Sequence, residues 1–335
     1  MSDLLDSVLL TAMEAGRRAA AVCRQVLAEA PDSPDAMAKL GKEPVTVADY
    51  GCQAVILEAV ARAFPDHAVI AEEGSEHLRA NADAASSEQA TRIVGDVLGR
   101  EVSFTQVCDW IDHVGQDGSG LTWSIDPIDG TKGFLRRDQY AVAIGVLKDG
   151  KPWAGVLACP NLPVDLEDPD GPRGVLYVAG EGLGCRRVPL DGGAEEPCTA
   201  TSSADPADWR VLGSVESAHG DPALVVAMME AAGIGGGFVR YDSQVKYGVV
   251  AQGGAEVYLR PRSKPDYREN IWDHVAGVVV CQEAGGMVTD VDGKPLDFTR
   301  GRRLEDNRGV LATAGGAVHE AVLAGLRAAE AASAS

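Results

Sequence analysis

The stretch Trp123-Ser-Ile-Asp126-Pro-Ile-Asp129-Gly-Thr131-Lys-Gly-Phe134 is an apolar run, then two carboxylates three residues apart, then Gly-Thr. Asp, Pro and Gly interrupt regular structure, so Asp126 and Asp129 are expected where a strand ends. Pro127 fixes the backbone between them, and Gly130 permits a close approach. Thr131 then opens a segment that can turn into a helix. Carboxylates held this close repel one another and stay ionised together most easily around a cation. A hard divalent ion with oxygen ligands, Mg²⁺ above all, suits such a site.

The same feature, an acidic residue at a strand end or helix start, recurs at Asp49, at Glu72-Glu73, and at Asp273 in Trp272-Asp-His274. Each has a plainer reading. Asp49 and Asp273 could cap helices, Asp129-Gly130 could be an ordinary turn, and Glu72-Glu73 a solvated edge. The joint pattern favours a metal site, because Asp126 and Asp273 follow apolar or aromatic residues that should be buried.

The chain has 335 residues, 45% of them apolar, enough for one large domain or two ordinary ones. Its net charge is −20. That argues against a nucleic-acid surface and against an acidic membrane face. No protein partner is indicated. An anionic substrate needs metal and a few local cations to reverse the field. Seven cysteines with wide spacing and no CxxC pair fit a reducing cytoplasm better than a disulfide framework or zinc site. Met1 to Ala30 reads as a helix and not a signal peptide, and no apolar run is long enough to span a membrane.

Along the chain, residues 4–29 and about 50–64 read as helices and 67–71 as a strand. Residues 76–121 read as a partly helical excursion ending in a mobile loop, 115–120. A hairpin turns at Asp149-Gly150. Residues 161–174 form a linker. Beyond about residue 210 helix and strand alternate, an α/β pattern. The expected units are an α+β part over 1–185, carrying most of the acidic cluster, an α/β part over 186–329, and a frayed tail, 330–335. Asp290-Val-Asp-Gly293 lacks the spacing of a calcium loop and reads as a turn. Gly233-Ile-Gly-Gly-Gly237 is not a dinucleotide fingerprint, and no nucleophile elbow occurs.

Glu72-Glu73, Asp126-Pro-Ile-Asp-Gly-Thr131, and Trp272-Asp273-His274 followed by Glu283-Ala-Gly-Gly286 together resemble the inositol monophosphatase superfamily of Mg²⁺-dependent, lithium-sensitive phosphomonoesterases. Gly155-Val-Leu-Ala-Cys-Pro-Asn-Leu-Pro163, Asp242-Ser-Gln-Val-Lys246 and Val257-Tyr-Leu-Arg260 look like its 3′(2′),5′-bisphosphate nucleotidase branch. The resemblance implies a layered α/β/α/β/α sandwich of the inositol monophosphatase and fructose-1,6-bisphosphatase type. The implied activity removes the 3′-phosphate of adenosine 3′,5′-bisphosphate and extends to its 5′-phosphosulfate form. Inositol phosphates are the rival substrates, and a non-catalytic nucleotide sensor is the rival from another class.

By motif position, the resemblance gives metal ligation to Glu72, Asp126, the Ile128 carbonyl, Asp129 and Asp273, for two or three Mg²⁺ ions. It gives orientation and deprotonation of water to Asp49 and Thr131. The division between Glu72 and Glu73 stays open, with Glu72 favoured; Ala71 stands where the family usually has Gly. His219, Ser243, Lys246 and Arg260 resemble nucleotide-pocket residues, although Lys246 and Arg260 also read as ordinary surface cations. The N–H groups of Gly130 and Thr131 could hold phosphate oxygens.

Overall fold

The computed structural model describes residues 2–30, 43–81, 84–115, 120–215, 222–262, 264 and 266–333. His219 and residues 116–119 of the expected mobile loop lie outside them.

Helices α1 (Ser2–Glu29) and α2 (Glu43–Ala63) pack side by side. Strand β1 (Ala68–Ala71) follows, then α3 (Glu76–Ala80), α4 (Ala85–Leu98) and α5 (Phe104–Ile111). The chain continues through β2 (Leu121–Asp129), α6 (Thr131–Leu135), β3 (Ala141–Lys148), β4 (Lys151–Pro163), β5 (Arg173–Gly180), β6 (Gly184–Pro189) and β7 (Glu196–Cys198). These strands form a seven-stranded sheet in sequence order, parallel between β1 and β2 and antiparallel thereafter. The sheet thus extends past residue 185 to Cys198.

The second sheet joins β8 (Val211–Gly213), β9 (Phe238–Arg240), β10 (Val257–Arg260), β11 (Met287–Thr289) and β12 (Val310–Thr313), in the order β11-β12-β10-β8-β9. Helices α7 (Pro222–Ala232), α8 (Val245–Ala251), α9 (Val275–Glu283) and α10 (Gly316–Ser333) alternate with it. Helix α10 runs into the stretch expected to fray.

Alternation along β3 divides the molecule into layers. Val142, Ile144 and Val146 enter a core with α1, α2, α4 and α5, while Ala141, Ala143 and Leu147 face α8, α9 and the second sheet. A third core lies between that sheet's far face and α7 with α10. The result is the α/β/α/β/α sandwich. Helix α9 is apolar all round, with Val275 to Cys281 buried, as a helix between two sheets must be. Glycines let it come close: a Cβ on Gly145 or Gly155 would lie 2.5 Å from Val275 or from the Ala276 carbonyl. This contact brings the residues just before α9 against β2.

Two local readings need correction. Helix α2 begins at Glu43, so Asp49 lies inside it and does not precede it. Strand β2 does not break at Asp126 but continues to Asp129 through a register shift, a bulge that tolerates Pro127. The excursion after residue 76 is partly helical as expected, with three helices, the last started by a capping box at Ser103 and Gln106. All seven cysteines are free and buried. Among the described residues, no helix is long and apolar enough to cross a membrane.

Candidate active site

The end of β2 carries Asp126 and Asp129. Asp126 pairs in register with Ala143 and Asp129 with Ala141, while Pro127 and Ile128 bulge between them. Parallel pairing of β1 with β2 brings Glu72 alongside, its N–H donating to the Ile125 carbonyl at 3.1 Å. Asp273 arrives from the other half of the chain. It ends a 3₁₀ turn, Ile271–Asp273, that contacts β2, and His274 rather than Asp273 occupies the cap of α9.

Electrostatics show how closely these groups converge. Asp126 is 2% exposed, and its carboxyl is pushed far up by burial first and then by the charges of Glu72, Asp129 and Asp273. Its Oδ1 has no hydrogen-bond partner among the described residues. Glu72 is exposed at its surface, yet enough protein surrounds its carboxyl for burial to act on it. Burial, opposed by a hydrogen bond with Asp126 and reinforced by Glu73 and Asp129, pushes it up to about 7. Asp273 is pushed up by burial, against the pull of Arg260. Asp49, also buried, is pushed up by burial and then by Glu73 and Glu72. Unpaid repulsion of this kind is what a cation would relieve, and an all-oxygen donor set with a partnerless buried carboxylate oxygen fits a hard divalent ion.

The two glutamates differ. Glu73 is held by its main chain, which exchanges hydrogen bonds of 3.0 and 2.7 Å with the Gln53 side chain. Glu72 is the one that meets Asp126. Ile128 is buried, and its carbonyl accepts from the Thr131 hydroxyl at 3.4 Å. Thr131 is exposed at the start of α6, which packs against α2, the helix of Asp49.

Gly130 has φ +90°, and a Cβ there would sit 2.9 Å from the Ser243 Cβ, so only Gly fits this crossing. Ser243 itself adopts φ +64°, a strained value for a non-glycine residue. Asp242, just before it, pairs with Arg136 and accepts from the Val215 N–H at 3.1 Å.

The reading of Lys246 as a surface cation is wrong: it is 1% exposed. Its ammonium donates to the Tyr241 carbonyl at 3.1 Å and lies 5.1 Å from the Tyr258 ring centre. Burial brings it down to about 8, against the opposing pull of Asp129. Arg260 is no solvated cation either. It sits 2.9 Å from Glu269 and 3.7 Å from Asp273, with 16% of its side chain exposed. Tyr247 is a core residue bonded to His274 at 2.8 Å. The Asp290 carboxylate is filled by the N–H groups of Asp292, Lys294 and Arg308 and the Asn307 amide, as a turn requires.

A match to the inositol monophosphatase family spans residues 4–331. The chain belongs to that family. Enzymes of the family are metal-dependent, usually on Mg²⁺. The chain is 40% identical over 303 residues to a 3′(2′),5′-bisphosphate nucleotidase of Emericella nidulans, covering 82% of this chain and 86% of the relative. It is 35% identical over 318 residues to one of Schizosaccharomyces pombe, covering 90% of each. It is 38% identical over 322 residues to one of Oryza sativa, covering 91% of this chain and 89% of the relative. The fold matches an inositol monophosphatase from Anabaena with a TM-score of 0.63 at 23% identity, over 96% of both chains. It also matches the SuhB protein of Mycobacterium tuberculosis, with a TM-score of 0.61 at 20% identity over 97% of both.

Sequence reading missed two residues of this inositol monophosphatase family site. Gln244 donates its N–H to Asp129 Oδ2 at 2.6 Å, and its side chain bridges the Trp272 carbonyl and the Gly277 N–H at 2.9 and 3.1 Å. Glu269 is buried, and although burial pushes it up, the charges and hydrogen bonds of Arg260 and His274 together hold it at about 2. The position of Gln244 inside Asp242-Ser-Gln-Val-Lys246 was a signal for the first; nothing local pointed to the second. A separate groove of about 690 Å³ runs along α4. Its Arg92 and Arg100 are already paired with Glu29, Asp96 and Glu58.

Proposed function

We propose that this chain is a Mg²⁺-dependent phosphomonoesterase that converts adenosine 3′,5′-bisphosphate to AMP and inorganic phosphate, with two or three ions in the working site. The observation that carries the reading is the meeting of Glu72, Asp126, Asp129 and Asp273 around a buried, partnerless carboxylate oxygen. The identity of 35–40% to three bisphosphate nucleotidases supports the substrate class.

Glu72, Asp126, the Ile128 carbonyl, Asp129 and Asp273 would hold the metal. When bound, it supplies Lewis acidity that acidifies water and neutralises phosphoryl oxygens. The Thr131 hydroxyl positions the attacking water, and Asp49 takes its proton. The water oxygen bonds to phosphorus as the bond from phosphorus to the ribose O3′ breaks, and the departing oxygen gains a proton from solvent. Gly130 and Thr131 receive the phosphoryl group at the start of α6. Ser243, Lys246, Arg260 and His219 serve the remainder of the nucleotide, Lys246 as a buried cation beneath it and Arg260 beside Asp273. We place the boundary between the two subdomains between Cys198 and Val211, where one sheet ends and the other begins.

Phosphorus NMR of a single turnover mixture tests the regiochemistry. The expected products are 5′-AMP and phosphate; adenosine 3′-monophosphate would contradict the assignment of the reacting group.

A further inference from the structure

A buried carboxylate is costly in a chain of net charge −20, and Glu269 is 3% exposed. It lies beside one member of the acidic cluster, with carboxylate oxygens of Glu269 and Asp273 within 4.8 Å of each other. What it touches explains it. Its Oε2 is 2.9 Å from the Arg260 guanidinium and 3.3 Å from His274 Nε2. The other ring nitrogen of His274 faces the Tyr247 hydroxyl at 2.8 Å. A carboxylate only accepts, so Nε2 carries the proton and Nδ1 accepts from Tyr247. Tyr247 and His274 are buried, so Glu269 is braced from behind by core side chains.

Arg260 therefore stands between two carboxylates at unequal distance, 2.9 Å from Glu269 and 3.7 Å from Asp273. A guanidinium free of Glu269 would close on Asp273, because a bidentate pair is its best geometry. That would fill the oxygens Asp273 needs for metal and turn Arg260 away from the substrate.

We propose that Glu269 is a positioning residue: it holds Arg260 off Asp273, which keeps Asp273 open to the metal and presents Arg260 to the anionic substrate. Both halves of this inference rest on the proposed function, the substrate half on its nucleotide and the metal half on Asp273 as a ligand.

A double-mutant cycle tests it, with Glu269→Gln, Arg260→Ala and the pair. Two quantities are read in each: kcat/KM for adenosine 3′,5′-bisphosphate against β-glycerophosphate, and Mg²⁺ affinity by calorimetry on the resting protein. Glu269→Gln is expected to lose roughly 10- to 100-fold on the nucleotide, mostly in KM, the scale of a charge-assisted hydrogen bond. At saturating Mg²⁺ the loss on β-glycerophosphate should stay under about threefold, and Mg²⁺ affinity should fall severalfold. With Arg260→Ala already present, Glu269→Gln should cause no further loss in either quantity. Equal losses in both backgrounds, or unchanged Mg²⁺ affinity in the single variant, would overturn the proposal. If Glu269→Gln does not fold, by circular dichroism, Glu269→Asp replaces it with the same criteria. A wild type that ignores the nucleotide would end the substrate assignment, and the calorimetry would still decide whether Glu269 guards Asp273.

Discussion

The main-chain N–H of Gln244 donates to Asp129 Oδ2 at 2.6 Å, and through its side chain the same residue grips the turn that carries Asp273. One residue thus ties a carboxylate from the first sheet to one from the second half of the chain. Gln244→Leu keeps the first bond and breaks the side-chain pair, leaving the Trp272 carbonyl and Gly277 N–H buried without partners. Each such group costs about 1–3 kcal/mol, so we expect about 2–5 kcal/mol less stability in urea unfolding. Asp273 should also loosen, with weaker Mg²⁺ binding by calorimetry. Normal metal affinity in a folded variant would show that the turn holds Asp273 without Gln244.

The acidic cluster makes the metal-free protein sensitive to pH. Glu72 is raised to about 7 from an ordinary 4.5, and Asp126 and Asp273 move the same way. For such groups the folded state favours the proton. The contribution of Glu72 to stability is complete below its unfolded value and is lost as pH rises through about 7, and Asp126 and Asp273 act in the same direction. Glu269, held at about 2, contributes stability that is lost only under stronger acid. In the presence of a chelator, Tm should therefore fall between pH 5 and pH 7.5. Added Mg²⁺ should raise Tm more at pH 7.5 than at pH 5. Glu72→Gln should flatten the profile, which separates the cluster from the general effect of the −20 charge. A profile unchanged in Glu72→Gln would remove Glu72 from the cluster's proton balance.

The core motif was legible because it is local. Asp126, Asp129 and Gly130 lie within five residues, and Pro and Gly mark the break between them, which the structure makes a bulge and a left-handed turn. The α/β character of the second half was legible through the alternation after residue 210, while the five-layer sandwich came from the family resemblance. The start of α2 at Glu43 was not legible, since Val45-Thr-Val is β-branched and reads as extended. Strand β6 was missed because Gly184-Cys-Arg-Arg-Val-Pro189 carries two arginines; Arg186 and Arg187 pair with Glu195 and Glu196 at the sheet's edge. The burial of Lys246 and the pairing of Glu269 with Arg260 depend on contacts between distant segments, which charge and spacing do not reveal.

Thr131 is exposed at the start of α6 and holds its hydroxyl toward the Ile128 carbonyl. As the residue that positions water, it should matter to turnover more than to metal binding. We expect Thr131→Ala to lower kcat by roughly 10²- to 10⁴-fold, the range for acid–base assistance. Mg²⁺ affinity should change little. A kcat within threefold of wild type would take Thr131 out of the reaction.

Lys246 offers a test of selectivity. Lys246→Met fills nearly the same space but removes a buried cation near Asp129. The nucleotide has a second anionic group for that charge to serve, and a small monoester does not. We expect kcat/KM to fall roughly 10- to 100-fold on adenosine 3′,5′-bisphosphate, the scale of one charge-assisted contact, and far less on β-glycerophosphate. Parallel losses on both would assign Lys246 to the reacting phosphate or to the fold.

The most direct measurement is phosphate release by the purified wild type from adenosine 3′,5′-bisphosphate and from inositol 1-phosphate, with Mg²⁺ and after exhaustive chelation. We predict a kcat/KM at least tenfold higher for the nucleotide, and loss of both activities on chelation that Mg²⁺ restores. Full activity without metal would contradict the role of the carboxylate cluster. A preference for inositol 1-phosphate would contradict the nucleotide assignment.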